Sequence, residues 1–292
     1  MKQISDYKNN DELRSKFNNL TLEIFGLDFE DWYQRGFWDN SYVCHSFFED
    51  DQIISNVSAS KFELIVSGEV FQAIQIGTVM TKKEFRGKGL AVELTKIVID
   101  KYRSDFDFFY LFAHDKVWDY YKKQGFIPID EYGYSIEIKN AVNSNEKLRK
   151  LDMSNKNDLQ TIIRLTKNRK PVSKTFGILN NTSIFLFYAL TDYYDNLFYS
   201  DSKDCLLVFT ENKDRVVHLY DILSESELDF AEITALICSE IHELKKIIFH
   251  YTPDYADIVI KPTAMDSNDR MFFKGDPAIL PLKFLYPKIG IT

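Results

Sequence analysis

Cysteine is scarce in this sequence, with 3 in 292 residues. Cys44, Cys205 and Cys238 are odd in number and far apart, a spacing that fits neither a disulfide framework nor a zinc site. The five histidines show no metal-ligand spacing, so no metal is expected. An excess of positive charge is also missing: 36 basic residues face 44 acidic ones, a formal charge of −8. Such a balance opposes sequence-independent binding to phosphate backbones, and no nucleic-acid partner is expected. Long apolar runs are lacking. The longest, Ile184 to Leu190, falls far short of the ~20 residues a membrane span needs, so no membrane association is expected. The opening MKQISDYKNNDELRSKF has no apolar stretch of the secretion-signal kind, which makes a cytoplasmic location the expectation. Glycine is sparse and uneven. Of 11, five lie between Gly77 and Gly133, and only Gly177, Gly275 and Gly290 follow Leu151. One short segment therefore carries special backbone demands.

What is present is ordinary for a globular chain: 45% hydrophobic and 27% charged residues, with 24 Phe and 17 Tyr. At roughly 100–200 residues per domain, the length fits one large domain or two modest ones. The polar stretch Asn140 to Asp158 marks a boundary, giving residues 1–141, a linker over 142–157, and residues 158–292. In the first unit the spacing of Leu13, Phe17, Leu20 and Ile24 predicts a helix over Asn10–Leu27. Strand patterns follow at Tyr42–Glu49, Gln52–Lys61, Phe62–Ser67 and Ala73–Met80. A helix over Gly89–Tyr102, a strand over Phe106–Ala113, a short helix ending at Gly125 and a strand over Tyr132–Ile138 complete the unit. This order indicates a mixed α/β (α+β) sheet. The second unit repeats it. Strands are expected at Leu197–Ser200, Cys205–Glu211 and Arg215–Leu223, a helix at Leu228–Leu244, and strands at Lys246–Tyr251 and Arg270–Lys274.

The chemistry concentrates in IQIGTVMTKKEFRGKGLAVELTKIVIDKY, Ile74 to Tyr102. A strand runs into a basic, glycine-bearing loop that opens a helix. The first turn of a helix leaves N–H groups without partners, and with the positive end of the dipole they suit a pyrophosphate. Gly87 and Gly89 permit left-handed dihedrals and keep side chains away from the backbone. Arg86 and Lys88 add charge at the rim. Arg-Gly-Lys-Gly taken alone reads equally well as a tight turn with solvated basic side chains.

Arg86, Gly89 and Ala91, spaced R-x-x-G-x-A directly after a strand, resemble the acetyl-CoA signature of the GNAT N-acetyltransferase superfamily. WDYYKKQGF, Trp118 to Phe126, is similar to that family's second motif. The wording around both motifs looks most like the tandem-domain branch that includes the enhanced-intracellular-survival (Eis) acetyltransferases. The resemblance covers roughly Asp11 to Ile138. It implies a mixed, mostly antiparallel GNAT sheet with flanking helices, followed by a second, degenerate GNAT-like domain.

In the family the strand before the loop parts from its neighbour, and the pantetheine arm pairs with the exposed main chain. The resemblance assigns that pairing to Val79, Met80 and Thr81, and the pyrophosphate to the amides of Arg86, Gly87, Lys88, Gly89, Leu90 and Ala91. It makes Tyr121 the general acid that protonates the departing thiolate, against the alternative of a core or pocket-wall tyrosine. His114 stands where relatives often carry Asn. It either replaces that cofactor hydrogen bond or merely adjoins a capping Asp115. The Eis branch implies the C-terminal carboxylate, here of Thr292, as general base, against the alternative of a packed or frayed end.

In the second unit ILSESELDFAE replaces TKKEFRGKGLA. Glu225, Glu227 and Asp229 would repel a pyrophosphate, so this unit is expected to bind no coenzyme and to close the acceptor site. Arg169–Gly177 reads either as part of the interface or as a polar loop. Phe29, Trp32, Tyr33, Phe37 and Trp38, with Asp28, Glu30 and Asp31, either line an acceptor pocket or pack as an amphipathic helix. The expected activity is acetyl transfer from acetyl-CoA to a primary amine of a small molecule or peptide. The alternatives are a non-catalytic acyl-CoA-binding sensor and a transferase for longer acyl chains. A homo-oligomer is left open.

Overall fold

The computed structural model describes residues 1–139 and 146–292. Its first elements are β1 (Lys2–Ser5), α1 (Asp11–Phe25), α2 (Glu30–Gln34), β2 (Tyr42–Glu49), β3 (Gln52–Val66), β4 (Glu69–Thr81) and α3 (Leu90–Tyr102). They continue with β5 (Phe108–His114), α4 (Trp118–Lys122), β6 (Ile127–Ile129) and β7 (Tyr132–Glu137). Next come β8 (Arg149–Lys150), α5 (Lys156–Asn168), β9 (Phe176–Ile178), α6 (Thr182–Leu190), β10 (Leu197–Ser200), β11 (Cys205–Glu211) and β12 (Val216–Ser224). Last are α7 (Phe230–Glu240), β13 (Lys246–Phe249), β14 (Thr263–Ala264) and β15 (Asp269–Lys274).

Local chemistry sets the helix ends. The Asn10 side chain accepts the Leu13 N–H at 3.0 Å, and Gly26 closes α1 in the left-handed region at φ 70°. The two strand patterns over Gln52–Ser67 merge into the single strand β3. Of the expected linker, residues 142–145 lie outside the described residues. The rest carries β8 and the first turn of α5, capped by the Asn155 side chain.

Two sheets result. One runs β1-β2-β3-β4-β5-β15-β6, with β9 also on β3; the other runs β14-β7-β13-β12-β11-β10-β8. With the second order reversed, they are the same arrangement twice. Four strands lead to one parallel pair, β4 with β5 or β12 with β13. Two more strands follow.

The surprise is which strands fill the sixth position. Tyr132–Ile138, expected to end the first sheet, pairs instead with β13 in the second, Ile247 opposite Ile136. Arg270–Lys274, expected in the second sheet, lies between β5 and β6, Phe272 opposite Leu111. Each half therefore lends one strand to the other. The chain crosses at Glu131, whose carbonyl accepts the Met265 N–H at 3.3 Å.

The core follows the exchange. One buried cluster runs from Phe17, Trp32 and Tyr110 of the first half to Leu165, Phe185 and Leu223 of the second. Phe29, Trp32, Phe37 and Trp38 belong to it rather than to a pocket wall. Trp32 Nε1 donates to the Ser183 carbonyl at 2.9 Å, and Phe29 stacks on Phe187 at 5.2 Å. Of the two readings of this patch, packing is the one observed.

Candidate active site

The parallel pair β4–β5 is short. Ala73, Ile74 and Gln75 face Phe108, Phe109 and Tyr110, and the strands part beyond that point. β4 stays on β3, while β5 from Leu111 onward pairs only with β15. Val57 opposes two residues of β4, Thr78 and Val79, so β4 bulges at the parting. Thr78 takes φ 46°, a costly angle for a β-branched residue. It is held by Tyr42 Oη at 2.6 Å from its Oγ1 and by Asn56 Nδ2, which donates to its carbonyl at 2.9 Å.

Strand alternation decides which main-chain groups face the gap. Lys82 N–H donates to the Ile54 carbonyl and Ser55 Oγ donates to Met80 O, so Met80 and Lys82 turn toward β3. Val79 and Thr81 then face the opening. Met80, expected with them, is engaged on the other side.

The loop after β4 opens onto α3. Gly87 and Gly89 have φ 76° and 80°, and a Cβ built on either meets nothing within 4 Å. Gly89 caps α3 without a side-chain hydrogen bond. No acceptor among the described residues takes the N–H groups of Gly87 to Val92. These outward amides at a positive helix end fit a pyrophosphate. Arg86 Nε donates to Thr81 O at 3.0 Å, which brings its guanidinium beside the gap, and Lys88 lies 4.7 Å over the Phe85 ring.

Tyr121 is 6% exposed, packed on Tyr120, Phe126 and Phe272, the last on the strand beside β5. Burial pushes its hydroxyl well above the usual tyrosine range, so it stays protonated. The neighbouring Tyr120 hydroxyl is buried with no hydrogen-bond partner among the described residues. His114 ends β5 and is itself the cap of the following turn: its Nδ1 lies 2.7 Å from Asp115 Oδ1 and 3.4 Å from the Lys116 N–H.

The final residues run back into the parting. Ile289 and Gly290 are buried, so this end is built in rather than frayed. Tyr188 Oη donates to the Ile291 carbonyl at 2.7 Å and Ser60 Oγ lies 3.1 Å from Thr292 Oγ1. Thr292 sits against Gly77, one residue before the strained Thr78. A Cβ on Gly77 would stand 2.7 Å from Thr292 Oγ1 and 2.8 Å from its carbonyl carbon. Nearby, Glu131 accepts the Tyr286 N–H at 2.9 Å, and burial pushes its carboxyl up to about 7.

The second half offers a control. At the mouth of α7, Asp257 accepts the Phe230 and Ala231 N–H groups, both at 3.1 Å. Asp229 accepts the Glu232 N–H at 2.7 Å in a capping box. Carboxylates thus take the places open on α3. The chain also occupies the parting of β12 and β13: Lys170 N–H donates to the Ser224 carbonyl, and the Lys174 and Thr175 N–H groups reach Asp254 Oδ2. Arg169–Gly177 is therefore no solvated loop. One end fills this cleft, and β9 joins β3 of the other sheet. A cavity of about 510 Å³ lies here. Its carboxylates already bind the chain's own amides, so its size is a poorer guide to chemistry than the free amides of α3.

Arg169 and Asp221 anchor this filling segment as a buried, two-pronged ion pair, 2.6 and 2.5 Å long. Asp221→Ala leaves a buried guanidinium unpaired and is expected to cost about 3–5 kcal/mol. Urea unfolding measures this. A loss under about 1 kcal/mol would mean that the pair contributes nothing as a clamp.

Sequence reasoning expected Val79, Thr81, Arg86–Ala91 and Tyr121 around one parting; the structure sets Val79, Thr81 and the loop before α3 beside it and packs Tyr121 on Phe272 of β15. It did not mark Gln75, Gly77, Tyr188 and Glu131, whose contacts are with distant chain and carry no local signal. Residues 10–129 match a family model described as an acetyltransferase (GNAT) domain. Among solved structures, the chain is similar to a conserved protein of unknown function from Enterococcus faecalis V583, described as a probable N-acyltransferase. The TM-score is 0.61 at 14% identity, over 94% of this chain and 72% of that one. Eis1 from Mycobacterium abscessus gives 0.59 at 12% identity, over 94% and 73%. A GCN5-related N-acetyltransferase from Kribbella flavida gives 0.58 at 13%, over 94% and 72%. These likenesses show the fold. No curated protein matches.

Proposed function

The chain carries a GNAT acetyltransferase domain and is an acyltransferase; from that premise we propose that it moves an acetyl group from acetyl-CoA to a primary amine of a small molecule or peptide, in one direct step. The observation that carries the reading is the parted β4–β5 pair beside the free amides of Gly87 to Val92.

Acetyl-CoA would supply an activated thioester carbonyl. The amides of α3, with Arg86 and Lys88, would hold its phosphates, and Val79 and Thr81 would pair with its arm in the gap. His114, exposed at the end of β5, would stand at the rim of the same gap. The Tyr121 hydroxyl would give its proton to the sulfur as the C–S bond breaks. The Thr292 carboxylate, beside Gly77, would take the proton that the amine nitrogen loses as the N–C bond forms. The extra residues 158–292 would then act as a degenerate second domain that closes the acceptor side, with residues 142–157 as the connection. Tyr188 supports that role, since it reaches the tail from α6.

Thiol release from acetyl-CoA, with polyamine and aminoglycoside acceptors and with longer acyl donors, tests the activity. Release without any amine dependence would remove the proposed acceptor class. Calorimetry tests the division of labour. One coenzyme A per chain is expected, because the second cleft already holds its own segment and Asp257. Two would overturn the reading of that half.

A further inference from the structure

We propose that Gln75 is a positioning residue for acyl transfer: with Gly77 it fixes residues 290–292 at the reacting end of the gap. The inference rests on the proposed role of Thr292 and deepens it. Gln75 is fully buried and is the last β4 residue paired with β5 before the strands part. Its amide is saturated. Nε2 donates to the Gly290 carbonyl at 3.0 Å and to Tyr286 Oη at 3.2 Å. Oε1 accepts from the Thr292 N–H and faces Thr292 Oγ1. One side chain therefore grips the tail at two residues, and backbone chemistry dictates its orientation: a carbonyl needs the NH₂ end and an N–H needs the oxygen. Glu at this position would lose the donors, and Leu would lose everything.

Gly77 lies two residues on, and so on the same face of the strand. Its missing Cβ is the space Thr292 occupies. No left-handed angle requires a glycine there, which leaves the close approach as its reason. Of the remaining contacts, Ser60 Oγ meets Thr292 from β3, while Tyr188 on Ile291 and Asn181 Nδ2 on the Ile289 carbonyl at 3.4 Å hold the tail from the other half. Gln75 alone of these belongs to the strand that borders the gap. It thereby ties the tail's position to the place where β4 and β5 separate.

Two variants test this. Gln75→Leu removes the grip. Gly77→Ala displaces Thr292 without touching Gln75, which covers the case in which Q75L fails to fold. Each is expected to lower kcat about 100-fold, the effect of roughly 1 Å of misplacement. Coenzyme affinity by calorimetry should stay within about 3-fold. Hydrogen exchange of residues 286–292, read without any ligand, should accelerate. The rate deficit should also shrink as pH rises and the free amine loses its proton unaided, a recovery that a general loss of fold would not give. Retention of kcat within about 2-fold by both variants, or unchanged tail exchange, overturns the proposal. A third protein, wild type with two residues appended after Thr292, separates the two ideas. If the extension abolishes turnover while Q75L and G77A do not, Thr292 acts but Gln75 does not place it. If the extension is harmless while both variants lose turnover and tail protection, the carboxylate reading falls and Gln75 still positions that wall of the cleft.

Discussion

Gly89→Val is expected to abolish coenzyme binding while the protein stays folded. Gly89 holds φ 80° at the head of α3, where an L-residue is strained by roughly 1–2 kcal/mol. Its surroundings are open: a Cβ there meets nothing within 4 Å. A valine would stand among the free amides of Gly87 to Val92. Losing two charge-assisted hydrogen bonds, at about 1.5–3 kcal/mol each, weakens binding at least 100-fold. Titration calorimetry with coenzyme A reads the effect. Gly68→Val is the control for strain. Gly68 has φ 87° with equally open space, but it lies in the β3–β4 turn, at the opposite end of β4 from the loop. Equal losses in the two variants, or none in G89V, would detach the glycine loop from phosphate binding.

Tyr121→Phe is expected to lower kcat by about 100-fold or more with coenzyme affinity unchanged, as removal of a general acid does. The substitution keeps the ring that packs on Phe126 and Phe272 and deletes only the hydroxyl. Burial raises the hydroxyl's pKa above its ordinary value near 10, so the acid form persists across the neutral and mildly alkaline range. Wild-type kcat should therefore show no falling limb below about pH 10 from this group. The Y121F deficit should be constant over that range. A deficit confined to Tyr120→Phe would move the acid to the neighbouring hydroxyl, which is buried and unpartnered among the described residues. Full activity in both variants would leave thiolate departure unassisted by either tyrosine.

How much of this was legible in the linear chain differs sharply from element to element. The glycine loop was plain because its parts are contiguous. A strand, two left-handed glycines and an uncapped helix start occupy Ile74 to Ala91, and their chemistry needs no distant partner. The acidic start of α7 was legible for the same reason: Asp229 caps that helix, while Glu225 and Glu227 pair with Arg164 and Lys174 instead. The strand exchange was not. Alternation marks Tyr132–Glu137 and Asp269–Lys274 as strands but says nothing of which sheet edge each will join, since both edges offer the same hydrogen-bonding groups. The aromatic patch from Phe29 to Trp38 had the composition of a pocket and is core instead, because α6 covers it.

By itself the sequence determined which helix start is left uncapped and which carries a capping carboxylate, for that depends on backbone angles and side chains within a dozen residues. Only the tertiary structure decided that Gln75 meets Thr292, that Met80 turns from the gap, and that Arg169 fills the second cleft. Each of these joins chain segments whose separation along the sequence carries no pattern. Packing of two interlocked sheets brings them together, and local preference does not specify that packing.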